Sequence, residues 1–218
     1  VQNTTTATSD ADSITSTSTT SFRSVFAVRW RVVDIVVASV IGVAAGVIYW
    51  AYGLVWGGWS EGLGVILPGS TAFFASVWLF AGVLGGLIIR KPGAALYTEV
   101  VAAAVSVIGG SPWALWTIEA GIVQGLAAEL VFAIFLYRKW NLAVAVLAGA
   151  VAGLGMAIND LLVWFRGYAV EFQIVYVIAG VLGGALIAGA LSWYVARGLA
   201  ATGALNRFAS GREATREV

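Results

Sequence analysis

From residue 32 onward the chain alternates between long apolar stretches and short breaks that carry charge, glycine or proline. A hydrocarbon core about 30 Å thick calls for about 20 apolar residues per helix. Stretches that meet or approach that length lie at 32–54, 71–89, 93–110, 114–137, 141–163 and 172–196. The breaks are of the kind that stop helices: Arg90-Lys91-Pro92-Gly93 joins charge to two breakers, Gly109-Gly110-Ser111-Pro112 is turn chemistry, and Arg138-Lys139 ends the fourth stretch. The pattern predicts an all-α, polytopic membrane protein with a six-transmembrane-helix bundle over residues 23–197 and a C-terminal tail over 198–218.

Residues 1–22 break the pattern. They hold 13 Ser or Thr and few large apolar groups, too little buried surface to offset the entropy of ordering, so a disordered Ser/Thr-rich tail is expected. Neither the basic n-region nor the apolar h-region of a signal peptide is present there, and the first apolar stretch is expected to remain as a span. Basic residues fall on alternate connections: Arg23, Arg29, Arg31, Arg90, Lys91, Arg138, Lys139, Arg197, Arg207, Arg212 and Arg216 share one side, and Arg166 lies on the other. The positive-inside rule then predicts a multi-pass protein of the cell membrane with both termini cytoplasmic, and with loops 55–70, 110–113 and 164–171 outside.

Composition supports membrane residence, with 60% hydrophobic and 11% charged residues and a mean hydropathy of +0.92, against about 25% charged in soluble domains. The 27 glycines against 3 prolines suit closely packed helices. Cysteine and histidine are absent, which removes disulfides, the soft and imidazole metal ligands, and the Cys and His nucleophile or base pairs. No phosphate-binding loop or hydrolase signature occurs, so the chain reads as neither an enzyme nor a cofactor carrier, and nothing points to nucleic acid. If transport is ATP-driven, the ATPase must be another polypeptide.

The acidic residues inside the spans change the picture, because a carboxylate at bilayer depth normally faces protein, a cavity or a partner. These are Glu99, Glu119 and Glu129. Glu99, followed by a run of small apolar residues, is either a protonated interhelical hydrogen-bonding group or a counter-charge for a ligand. Trp116 and Glu119 are three residues apart, about 60° in helical projection, with Gln124 deeper on the same span. An aromatic face beside a carboxylate favours a flat, positively charged ligand. Trp56, Trp59, Trp113, Trp116 and Trp164 would share the outer level, as an interfacial belt or as a ring around one entrance. Asn159 and Asp160 close the fifth span, with Asp160 expected to pair with Arg166, while Asp34 reads as a helix-start or partner-contact residue. Ala38, Gly42, Ala45 and Gly46 form a small-residue ridge suited to internal packing or to a groove for a separate membrane subunit.

Two segments carry a resemblance. Ile89-Arg90-Lys91-Pro92-Gly93-Ala94-Ala95-Leu96, with Glu99 three residues on, and Gly121-Ile122-Val123-Gln124-Gly125-Leu126-Ala127-Ala128-Glu129 resemble the YkoE family. Its members are substrate-binding S components of energy-coupling factor (ECF) transporters, associated with thiamine or its hydroxymethylpyrimidine precursor. The likeness runs over about residues 28–212; the Ser/Thr tail lies outside the family pattern. It implies an outer-half pocket, a transmembrane coupling subunit meeting the small-residue ridge, and cytoplasmic ATPases. It further implies that Glu99 is a buried polar ligand, that Gln124 bonds the pyrimidine, that the outer tryptophans stack on it, and that Glu119 offsets a thiazolium charge. Two other classes remain open at this level: an ion-coupled carrier relaying protons through Glu99, Glu119 and Glu129, and a ligand-free membrane scaffold.

Overall fold

The computed structural model describes residues 29–214, which form helices α1 (Val32–Ile66), α2 (Thr71–Ile89), α3 (Ala94–Ile108), α4 (Trp116–Ile134), α5 (Leu142–Val163), α6 (Val170–Ala201) and α7 (Ala209–Ala214). The Ser/Thr-rich segment expected to be disordered lies outside the described residues. Helices α1, α2, α4, α5 and α6 are long and apolar enough to cross a membrane; α3, at 15 residues, is shorter and spans about 22 Å. The six expected spans are therefore present as helices, with α3 enclosed by α1, α2 and α4.

Their outer surfaces carry the apolar side chains. Ile122, Leu126, Leu130 and Ile134 on α4, and Ile174, Ile178, Leu182 and Leu186 on α6, are exposed at four-residue spacing, which lays each set along one helix face. Such stripes are stable against lipid and costly against water. The protein is a multi-pass membrane protein.

Two segments depart from expectation. The outer loop expected at 55–70 is helical as far as Ile66. No proline interrupts it before Pro68, and its aromatic face packs on α2: Trp56 lies 4.8 Å from Trp78, and Trp59 lies 5.3 Å from Phe74, ring centre to ring centre. The turn to α2 is made at Gly69, where φ is +90° and a Cβ would lie 2.8 Å from the Phe172 carbonyl oxygen; only glycine suits both constraints. The stretch after Ala201, expected as a tail, folds back on the end of α2. Leu205 and Phe208 are buried, and the Ser210 hydroxyl donates to the Ile88 carbonyl at 3.2 Å.

The small-residue ridge of α1 takes the first of its two expected roles, internal packing. Ala38, Gly42, Ala45 and Gly46 are all buried within the chain. A Cβ on Gly42 would lie 2.7 Å from Val101 Cγ1, and one on Gly46 would lie 2.6 Å from the Ala102 carbonyl oxygen. The ridge is filled by α3, whose own small residues let the two backbones close up, so it is not open to a separate subunit in this conformation.

Candidate functional site

A cavity of about 850 Å³ opens among the ends of the helices opposite the Arg90–Gly93 turn, lined by α1 to α6 and three of their connections. Its volume falls in the usual range for small-molecule sites. Local interruptions of the helices shape it. Within α2, the 3-10 turn Ser76–Leu79 ends one helical run and Phe80 starts the next, leaving N–H groups at the new start without carbonyl partners in their own helix. Two side chains supply the acceptors. Tyr49 Oη accepts from Ala81 N at 2.8 Å, and Glu99 Oε2 accepts from Gly82 N at 2.6 Å and from the Tyr49 hydroxyl at 3.4 Å.

Glu99 is thus held at a helix start, and it also lines the cavity. It is 1% exposed, and among the described residues its Oε1 has no hydrogen-bond partner. Gln124 lines the same cavity, 7% exposed, with its amide unpaired among the described residues. Both groups face the cavity, where a ligand can take complementary hydrogen bonds from them.

Aromatic rings supply most of the remaining wall. Trp56, Trp113, Trp116 and Trp164 line it, the second of the two arrangements open to them from the sequence. Trp59 does not; it sits behind Trp56, 4.8 Å away. Trp78, which sequence reasoning missed, lines the cavity and stands 4.8 Å from Trp56 and 5.0 Å from Trp113. Its indole N–H donates to the Tyr49 carbonyl at 3.2 Å, which fixes the ring plane. The one available signal was a tryptophan placed inside a span rather than at its end.

The other acidic residues separate by role. Glu119 and Asn159 are absent from the lining; the Asn159 amide donates to Glu119 Oε2 at 3.1 Å, tying α4 to α5 beside the cavity. Glu129 lies at the far end, where it accepts from the Gly93, Ala95 and Leu96 N–H groups at 2.7, 2.8 and 3.3 Å and from the Tyr137 hydroxyl at 2.7 Å. It caps α3. Burial, and then the bond to Glu129, raise the Tyr137 phenol above its ordinary pKa and keep it a donor. Asp34 is fully buried at the start of α1, paired with Lys91 and, at 3.0 Å, with Arg31, whose guanidinium pKa that hydrogen bond raises. Asp160 does not pair with Arg166, which donates instead to the Leu162 carbonyl. It lines the cavity and accepts from Tyr176 at 2.7 Å.

Residues 33–155 match the family described as the permease component of an ABC-type cobalt transport system. The chain is 35% identical over 190 residues, 84% of its length and 92% of the relative's, to YkoE of Bacillus subtilis (strain 168), which is named as a candidate HMP/thiamine permease protein. It also superposes on a crystal structure of an S component of an ECF transporter with a TM-score of 0.80 and 34% identity, covering 87% of this chain and 95% of that one. The chain belongs to the YkoE family of ECF S components. The family's members are transport proteins rather than enzymes, and the helix order above is the S-component fold.

Proposed function

We propose that this S component captures thiamine or hydroxymethylpyrimidine from outside the cell and delivers it inward together with a transmembrane coupling subunit and cytoplasmic ATPases. The observation that carries the reading is the chemistry of the cavity. Its lining combines a wall of indole and phenyl rings with three carboxylates, Glu61, Glu99 and Asp160, and among the described residues includes no lysine or arginine. Flat rings suit flat heterocycles, and carboxylates without basic partners suit neutral or cationic ones. The unpaired Glu99 oxygen and Gln124 amide offer the acceptor and donor that an aminopyrimidine edge requires. The name borne by the Bacillus subtilis relative supports the same ligand class.

Cobalt, named in the family description, is a weaker fit. A chain without histidine or cysteine offers oxygen donors and, on the cavity wall, one thioether, that of Met156. Among the described residues no three acidic groups converge as an ion site, while indole rings make up much of the wall.

The basic residues support the orientation. Arg31, Arg90, Lys91, Arg138, Lys139 and Arg197 lie at the helix ends away from the cavity, and Arg166 stands on the cavity side. Under the positive-inside rule the cavity opens outward and both termini are cytoplasmic.

The test is a tryptophan-fluorescence titration of the purified protein in detergent with thiamine and, separately, hydroxymethylpyrimidine. Saturable quenching at nanomolar concentration by either ligand is expected. Flat titrations with both would sink the reading.

A further inference from the structure

The wall of the cavity built by α5, α6 and their connection holds a carboxylate to which the capture reading gives no specific contact. Asp160 sits in the last turns of α5, with Oδ2 held by the Tyr176 hydroxyl at 2.7 Å and Oδ1 unpartnered among the described residues. Around it, Phe165, Tyr168, Phe172 and Tyr176 also line the cavity. Their neighbouring ring centres are 4.7 to 5.6 Å apart, so the four rings form one continuous group. The turn at Gly69, which also lines the cavity, packs against the backbone of Phe172 and Tyr176. Arg166, the nearest basic residue in sequence, bonds to the Leu162 carbonyl and does not neutralise Asp160.

A carboxylate beside several ring faces attracts positive charge twice, through its own charge and through the ring quadrupoles, and the attraction grows as water is excluded. It needs no hydrogen from the ligand. A cation whose charge sits on a fully substituted ring nitrogen, with no N–H to give, is matched by this wall. The Glu99 and Gln124 wall instead offers hydrogen bonds to a ring edge. The two walls differ in chemistry, and a ligand with one hydrogen-bonding ring and one charged ring would use both.

We propose that Asp160, with the rings of Phe165, Phe172 and Tyr176, forms a cation subsite that reads a fixed positive charge on the substrate and so selects a two-ring cationic heterocycle over a neutral pyrimidine. The proposal rests on the capture of such heterocycles argued above and goes further by assigning the charge to Asp160 rather than Glu119. Tyr176 is its positioning residue, since the hydroxyl fixes one carboxylate oxygen and leaves the other toward the cavity.

The test is isothermal titration of the full chain in detergent, as wild type, Asp160→Asn and Phe172→Leu, with thiamine as the cationic probe and hydroxymethylpyrimidine as the neutral one. The wild type is expected to prefer thiamine by at least about tenfold, with both variants losing that preference through thiamine alone and binding hydroxymethylpyrimidine within about threefold of wild type. Should Asp160→Asn fail to fold, Phe172→Leu carries the same comparison. Unchanged thiamine affinity, or equal losses for both probes, overturns the subsite. A wild type that binds hydroxymethylpyrimidine but not thiamine overturns the subsite and leaves the capture reading standing. A wild type that binds neither sinks both.

Discussion

Lys91, in the turn between α2 and α3, donates from Nζ to the Oδ2 of Asp34 in the first turn of α1, 57 residues earlier in the chain. The carboxylate has no exposed surface, and the ammonium little. Lys91→Met takes away one of the carboxylate's two cationic partners and leaves Arg31 in place, so it should lower stability by about 1.5–3 kcal/mol, while Asp34→Asn combined with Lys91→Met should cost less than the sum of the single changes. Unfolding of the two single variants and the double variant in detergent checks this, and strict additivity would count against the pair.

Glu129 caps α3 from a different helix, taking three backbone N–H groups and one phenol. Charge-assisted bonds of this kind contribute about 1.5–3 kcal/mol each when broken singly. Glu129→Ala should cost about 3 kcal/mol or more in stability, yet leave ligand affinity in the folded fraction within about threefold. Thermal unfolding and titration of the same sample separate the two effects. A large loss of affinity with intact stability would move Glu129 into the binding machinery.

Glu99 and Glu119 are separated by the cavity lining, which includes the first and omits the second. Glu99→Gln is expected to weaken binding of the preferred ligand at least tenfold, about 1.4 kcal/mol. Glu119→Gln should change it by less than about threefold. Fluorescence titration of both variants decides it, and equal effects would contradict the assignment of their roles.

The α1 ridge is an internal contact. A Cβ on Gly46 would come within 2.6 Å of both the Ala102 carbonyl oxygen and Val105 Cβ, so Gly46→Ala must push α1 off α3. Overpacking of this kind costs about 1–3 kcal/mol. Val47→Ala, next to it on the lipid side and 50% exposed, should shift the unfolding midpoint far less. Similar shifts for both would show that α1 and α3 do not meet at the ridge.

Much of this protein is decided locally. Whether a segment enters a bilayer depends on its own hydropathy and flanking charge, so the spans, the breaks at Arg90–Gly93 and Arg138-Lys139, and the S-component family were all legible in the sequence alone. Most of the tryptophan ring was legible too, because tryptophans near span ends tend to one level. The roles of the carboxylates were not. Glu99, Glu119, Glu129 and Asp160 look alike along the chain, and what distinguishes them is which donors, backbone N–H groups or side chains, other helices bring beside them. Glu129 caps α3 because the turn at Gly93 leaves donors beside it, and Glu99 is anchored because the 3-10 turn in α2 frees Gly82. Asp160 is turned to the cavity by Tyr176 on the next helix. Those partners lie 16 to 36 residues away in sequence, and hydrogen bonds at that separation are set by how the helices pack.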